Sequence, residues 1–65
     1  MLTESDFKYL VGKPINEAKN ELPQGYFIFV EQEDGESFWR GQEANFHRVN
    51  VFVKRGVITH IQGVN

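Results

Sequence analysis

The stretch Arg48-Val49-Asn50-Val51-Phe52-Val53 decides how this 65-residue chain is interpreted. Its valines recur at every second position, a period typical of a strand with one buried face. A short turn, Lys54-Arg55-Gly56, separates it from a second strand-like run at residues 57–61. The pattern therefore predicts two antiparallel strands joined by a tight turn near the end of the chain.

A third strand-like run, Tyr26-Phe27-Ile28-Phe29-Val30, is apolar on both faces and lies well upstream. Residues 31–45, which separate it from the valine stretch, show neither a helical nor a strand period. A connection of about a dozen residues or more in a compact domain is usually functional or disordered. A crossover of that length allows the strands on either side of it to lie parallel.

Two helical segments are expected before the first strand. Thr3 is placed to cap a helical turn that Gly12 ends, because glycine adopts the left-handed conformation of such ends. A second, main helix is predicted to begin at Pro14 and to end near Leu22, just before Pro23. Its apolar stripe is Ile15, Ala18 and Leu22. The predicted fold is one α+β domain over residues 1–65, a single helix packed on a small mixed β-sheet with a long exposed loop.

Composition excludes several classes of function. The net charge is −2, whereas nucleic-acid binding calls for a basic face, and no apolar run approaches the roughly 18 residues of a membrane span. With no cysteine and only two histidines, we expect no metal and no cofactor. No Ser or Thr is expected to pair with a histidine and an acid, so we expect no enzyme. No signal peptide is recognised, and the sequence assigns no compartment.

Three segments, in this order, are similar to the potato inhibitor I family of serine protease inhibitors. They are LVGKPINEAK at residues 10–19, RVNVFV at 48–53 and THIQGVN at 59–65. The resemblance covers roughly half of the chain and includes both of its ends. It implies the family's scaffold, in which an extended loop enters a protease active site as a substrate mimic.

The resemblance assigns that loop to about residues 36–46 and the target to a subtilisin-like or chymotrypsin-like serine protease. It implies a scissile bond between Gln42 and Glu43, with Arg48 and Asn50 supporting the loop from the strand behind it. We expect Arg48 to be an exposed strand residue whose replacement by alanine leaves the fold largely intact. The protease-binding residues implied are Phe38, Trp39, Arg40, Gly41, Gln42, Glu43 and Ala44.

The chain departs from the family's pattern in the loop. Gly41 stands where the family has threonine, Asn50 stands where it has a second arginine, and the loop is longer. An alternative is therefore a non-inhibitory interaction module that binds a partner through Phe38-Trp39-Arg40. These aromatic residues either cap the core or stand exposed as anchors. We expect a monomer, with a homodimer formed by strand pairing at an open sheet edge as the other possibility.

Overall fold

The computed structural model describes residues 2–38 and 44–65 of the chain. None of the helices in these two ranges has the length and apolarity needed to cross a bilayer. The elements in chain order are a 3₁₀ helix Glu4–Leu10, the α-helix α1 Ile15–Ala18, and the strands β1 Phe27–Glu33, β2 Glu36–Ser37, β3 Arg48–Lys54 and β4 Val57–Val64. The architecture is α+β, with short helical pieces and a four-stranded mixed sheet.

The first helical segment forms a 3₁₀ helix at the position predicted for a capped turn. The Thr3 backbone N–H donates to the Asp6 carboxylate at 2.8 Å, while the Asp6 N–H donates to the Thr3 carbonyl at 2.9 Å. Because a 3₁₀ helix has three residues per turn, Phe7 and Leu10 lie on one face, and both are fully buried. The segment thus supplies two of the largest side chains in the core.

The predicted main helix is much shorter than the sequence indicated, so the expectation of a single long helix to Leu22 was wrong. Helix α1 ends at Ala18: the Lys19 amide still bonds four residues back to Ile15, but the Asn20 amide bonds only three residues back, to Glu17. The Asn20 side chain instead donates to the Asn16 carbonyl at 3.3 Å. An asparagine side chain that takes the carbonyl of the residue four before it competes with the α-helical bond and favours a turn.

The sheet has the strand order β2-β1-β3-β4. Strands β1 and β3 pair in parallel, from Phe27 opposite Arg48 to Glu33 opposite Val53, which confirms the predicted parallel arrangement. Strands β3 and β4 pair antiparallel across the turn at Arg55 and Gly56, both of which have positive φ. The valine-striped strand is therefore the central partner of both neighbours.

A hairpin at Asp34-Gly35 shortens the connection that the sequence suggested. Strand β1 continues to Glu33, the two turn residues have φ of 51° and 86°, and β2 returns antiparallel at Glu36 and Ser37. Two consecutive positive φ values are those of a type I′ turn, for which Asp-Gly is a preferred sequence. The link from β2 to β3 is therefore residues 38–47. The acidic residues 31–36, which were expected in the loop, belong to the β1–β2 hairpin.

Strand β4 carries two register irregularities that give its core residues a spacing of three. Opposite the evenly spaced Val53, Val51 and Val49 stand Ile58, Ile61 and Val64. The extra residues at these irregularities are Thr59 and Gln62, as expected for β-bulges that place two residues opposite one. The core cluster is Phe7, Leu10, Ala18, Val49, Val51, Val53, Ile58 and Ile61.

Replacing Gly35 with alanine tests the hairpin. Its φ is +86° and an added Cβ meets no atom within 4 Å, so the cost is that of the left-handed backbone alone, about 1 kcal/mol of unfolding free energy. Gly63→Ala is the matched control, because Gly63 is not in that region and its nearest neighbour, Asn65 Oδ1, would lie 3.9 Å away. Urea titration should find the control within about 0.5 kcal/mol of the parent, and equal losses in both variants would contradict the turn assignment.

Candidate functional site

The predicted binding loop, residues 36–46, begins with the two residues of β2 and continues from Phe38 in the connection between β2 and β3. Phe38 and Ala44 are described, and both are exposed. The remaining predicted protease-binding residues and the whole proposed scissile bond lie outside the described residues. They are Trp39, Arg40, Gly41, Gln42 and Glu43. The site is therefore described through its two ends and through the residues beneath them.

The loop leaves the sheet at Phe38. Its backbone N–H donates to the Glu31 carbonyl at 2.8 Å, which extends the β1–β2 ladder by one bond beyond Ser37. Phe38 is 42% exposed. The sequence allowed this residue either to cap the core or to stand in solvent, and the structure shows it in solvent. The start of the loop is thus tied through its main chain while its aromatic side chain remains accessible.

The loop returns to the sheet at Asn45, whose backbone makes two hydrogen bonds. The Asn45 N–H donates to the main-chain oxygen of Asn65 at 3.0 Å, and the Asn45 carbonyl accepts from the Arg48 N–H at 3.1 Å. The Asn45 side chain accepts from the backbone N–H of His47 at 2.9 Å, an Asx-type turn. The end of the loop is therefore fixed directly to β3 and to the residue that follows β4.

Arg48 and Asn50 converge on Asn65 from the face of β3 opposite the valines. Arg48 Nη2 donates to the Asn65 main-chain oxygen at 2.7 Å. Asn50 Nδ2 donates to Asn65 Oδ1 at 2.8 Å and, at 3.4 Å, to the Gly63 carbonyl. The two predicted support residues are thus brought together, and both contact the residue that also holds Asn45. We call Asn45, Arg48, Asn50 and Asn65 the asparagine brace.

The burial of the brace corrects one expectation from the sequence. Arg48 is only 8% exposed and Asn50 1%, whereas we expected an exposed arginine that could be removed at little cost. A buried cation requires hydrogen-bond acceptors to offset its desolvation, and the Asn65 oxygen supplies one. Arg48 therefore belongs to the packed part of the domain as well as to the loop support.

Sequence reasoning missed Asn45 and Asn65. Neither residue was assigned a role, and both act largely through main-chain groups that a sequence pattern does not reveal. An Asn side chain commonly bonds the backbone two residues further on in an Asx turn, a local signal that would have drawn attention to Asn45. The position of Asn65 depends on the bulges of β4, so no local signal exists for it.

The second histidine lies elsewhere on the sheet. His60 Nδ1 is 3.2 Å from Thr59 Oγ1, and its ring packs at 5.7 Å from that of Phe52. Thr59 therefore contacts a histidine, its neighbour in the chain. Its hydroxyl donates to the Phe52 carbonyl at 3.3 Å, so its proton is directed to the main chain. Within residues 2–38 and 44–65, no three His, Cys, Asp or Glu side chains are grouped so as to hold a metal ion.

Comparison with known proteins adds no relative. No protein-family model matches the chain, and searches of curated proteins and of solved structures give no match. The family resemblance therefore rests on the three sequence segments alone.

Replacing Arg48 with methionine tests the brace. Methionine keeps the apolar stem but removes the donor to Asn65, so we expect a loss of about 1.5–3 kcal/mol in the free energy of unfolding, the range for hydrogen bonds to charged groups. Lys54→Met is the matched control, since Lys54 ends the same strand and is exposed. Its effect in the same urea titration should stay within about 0.5 kcal/mol. A similar small effect for Arg48→Met would contradict the brace.

Proposed function

We propose that the chain is a serine protease inhibitor that presents residues 36–46 to a subtilisin-like or chymotrypsin-like enzyme. Gln42 enters the specificity pocket and the bond between Gln42 and Glu43 is the one presented for cleavage. The observation that carries the proposal is the asparagine brace, a buried set of hydrogen bonds at the end of the loop. The order of the three family-like segments is its second support.

The brace suits inhibition because affinity for a protease depends on preorganisation. A flexible loop loses conformational entropy when it is ordered in an active site, and a loop ordered beforehand avoids that loss. Phe38 is bonded to Glu31 at one end of the proposed loop, and Asn45 is bonded to Asn65 at the other. The seven residues from Phe38 to Ala44 are thus tethered at both ends to one sheet.

The brace also suits the step after cleavage. Attack of the protease serine on the Gln42 carbonyl breaks the Gln42–Glu43 bond, which leaves Gln42 as an acyl-enzyme and releases the amine of Glu43, two residues before Asn45. Asn45 stays bonded to Asn65, which Arg48 and Asn50 hold in turn, so the amine remains close to the acyl-enzyme. High effective concentration favours rejoining of the bond over loss of the fragment. Slow net hydrolysis is what separates an inhibitor from a substrate.

A non-inhibitory interaction module is the second candidate, and exposed aromatic side chains favour it. Phe38 is 42% exposed, and Phe46, just beyond the loop, is 54% exposed. Aromatic side chains that remain in solvent beside a loop are typical anchors of protein interfaces. In this case the loop binds another protein through Phe38-Trp39-Arg40 without resisting proteolysis.

Incubation with subtilisin, chymotrypsin and trypsin distinguishes the two functions. An inhibitor should block at least one enzyme and be cut slowly at a single bond, which mass spectrometry of the loop identifies. Cleavage after Gln42 supports the proposed position, whereas cleavage after Phe38, Trp39 or Arg40 moves it. Rapid cutting at several bonds with no inhibition would exclude the inhibitor and favour the interaction module.

The variants of the brace provide the control for this experiment. Arg48→Met should raise the inhibition constant about tenfold or more and accelerate cleavage of the loop, because a lost hydrogen bond of about 1.4 kcal/mol corresponds to a factor of ten. Lys54→Met should inhibit like the parent. Assays are run where both variants are folded by circular dichroism, so that global unfolding does not account for the difference. Equal inhibition by all three proteins would rule out a role for the brace.

A further inference from the structure

Three aromatic rings link the end of the loop to the hydrophobic core. The Phe7 ring is fully buried, and its centroid lies 5.3 Å from that of the half-buried Tyr26. The Tyr26 centroid lies in turn 5.0 Å from that of His47, with the rings at 66°. An edge-to-face arrangement at this separation is favourable beyond the area it buries. The exposed imidazole of His47 therefore packs against Tyr26, which in turn packs against the core residue Phe7.

The backbone of His47 joins the loop to the sheet. Its N–H donates to Asn45 Oδ1 at 2.9 Å, and its carbonyl accepts from the Phe27 N–H at 3.0 Å. The next residue, Arg48, begins β3. His47 is thus the residue through which the loop passes into the parallel β1–β3 pair.

The ring contact and the asparagine brace act on different faces of the sheet. Phe7 belongs to the core cluster together with the valines of β3, and Tyr26 packs against that cluster. Arg48 and Asn50 lie on the opposite face, since successive strand side chains alternate. The exit of the loop is therefore held from both faces by contacts that share no side chain.

We propose that His47 is a positioning residue for the loop, with its ring rather than its charge fixing the direction in which the chain enters β3. Its significance for inhibition rests on the proposed function, because only an inhibitor requires the segment after the scissile bond to stay in place. The ring of His47 packs against the ring of Tyr26. The role requires an aromatic ring at position 47 and no proton transfer.

Three variants separate this role from a general effect on stability. His47→Ala removes the ring, and His47→Phe keeps a ring without a titratable nitrogen. His60→Ala is the control, since His60 is also exposed and also packs on an aromatic ring, that of Phe52, at 5.7 Å. All three are compared with the parent by amide hydrogen exchange and by loop cleavage in a protease that the parent inhibits.

Hydrogen exchange tests the positioning without any protease. The Phe27 amide bonds the His47 carbonyl, and the Arg48 amide bonds the Asn45 carbonyl. In His47→Ala both amides should exchange about two- to tenfold faster, the factor that corresponds to the free energy of one aromatic pair. The Ile58 amide, bonded to Lys13, should keep its rate. His47→Phe should restore the parent's rates, and His60→Ala should leave them unchanged. Unchanged rates in His47→Ala, or equal acceleration in His60→Ala, overturn the proposal.

Protease assays test the consequence for inhibition. His47→Ala should be cleaved in the loop about two- to tenfold faster than the parent, with His47→Phe again close to the parent. Faster exchange with unchanged cleavage would overturn the link between His47 and inhibition. If the parent inhibits no protease, the proposed function fails, and the exchange rates alone then support or overturn the positioning of the chain.

Discussion

The hydrogen bonds that converge on Asn65 are the constraint on which the rest of the structure depends. A guanidinium and a primary amide lie buried on one face of β3, and in so small a domain each unsatisfied group would cost a large part of the total stability. The main-chain oxygen of Asn65 accepts from both Arg48 and Asn45, and its side chain accepts from Asn50. Satisfying these buried donors therefore also fixes the end of β4 and the return of the loop.

The bulges of β4 make this convergence possible. Without them, alternate residues would face the core, and Ile58 and Ile61 would lie on opposite faces of the sheet. The two extra residues keep Ile58, Ile61 and Val64 all opposite the valines of β3. They also take up two residues of β4, so that Val64 pairs with Val49 instead of lying opposite residue 47, and Asn65 follows next to Arg48. Packing on one face and hydrogen bonding on the other thus depend on the same irregularity.

The sequence predicted the parts of the fold that follow from regular periods and failed where side chains compete with the backbone. The alternation of Val49, Val51 and Val53 and the length of the crossover were sufficient for β3 and its parallel neighbour. The helix after Pro14 was predicted too long because Asn20 bonds the carbonyl that an α-helix would use. The resemblance pointed to Arg48 and Asn50, whose side chains both bond Asn65, whereas the position of Asn65 depends on a strand register that no local pattern contains.

The two ends of the candidate loop are held differently, and for the proposed function this asymmetry bears on whether the chain acts as an inhibitor or as a substrate of a protease. The end at Asn45 is bonded to Asn65, and two residues further on the ring of His47 packs against that of Tyr26. The start at Phe38 is bonded to Glu31 beside β2, an edge strand of two residues. Short edge strands open readily because few contacts oppose their separation. In the proposed inhibitor, the amine would stay fixed after cleavage while the acyl side would depend on this hairpin, so retention of the β1–β2 ladder would decide between religation and release.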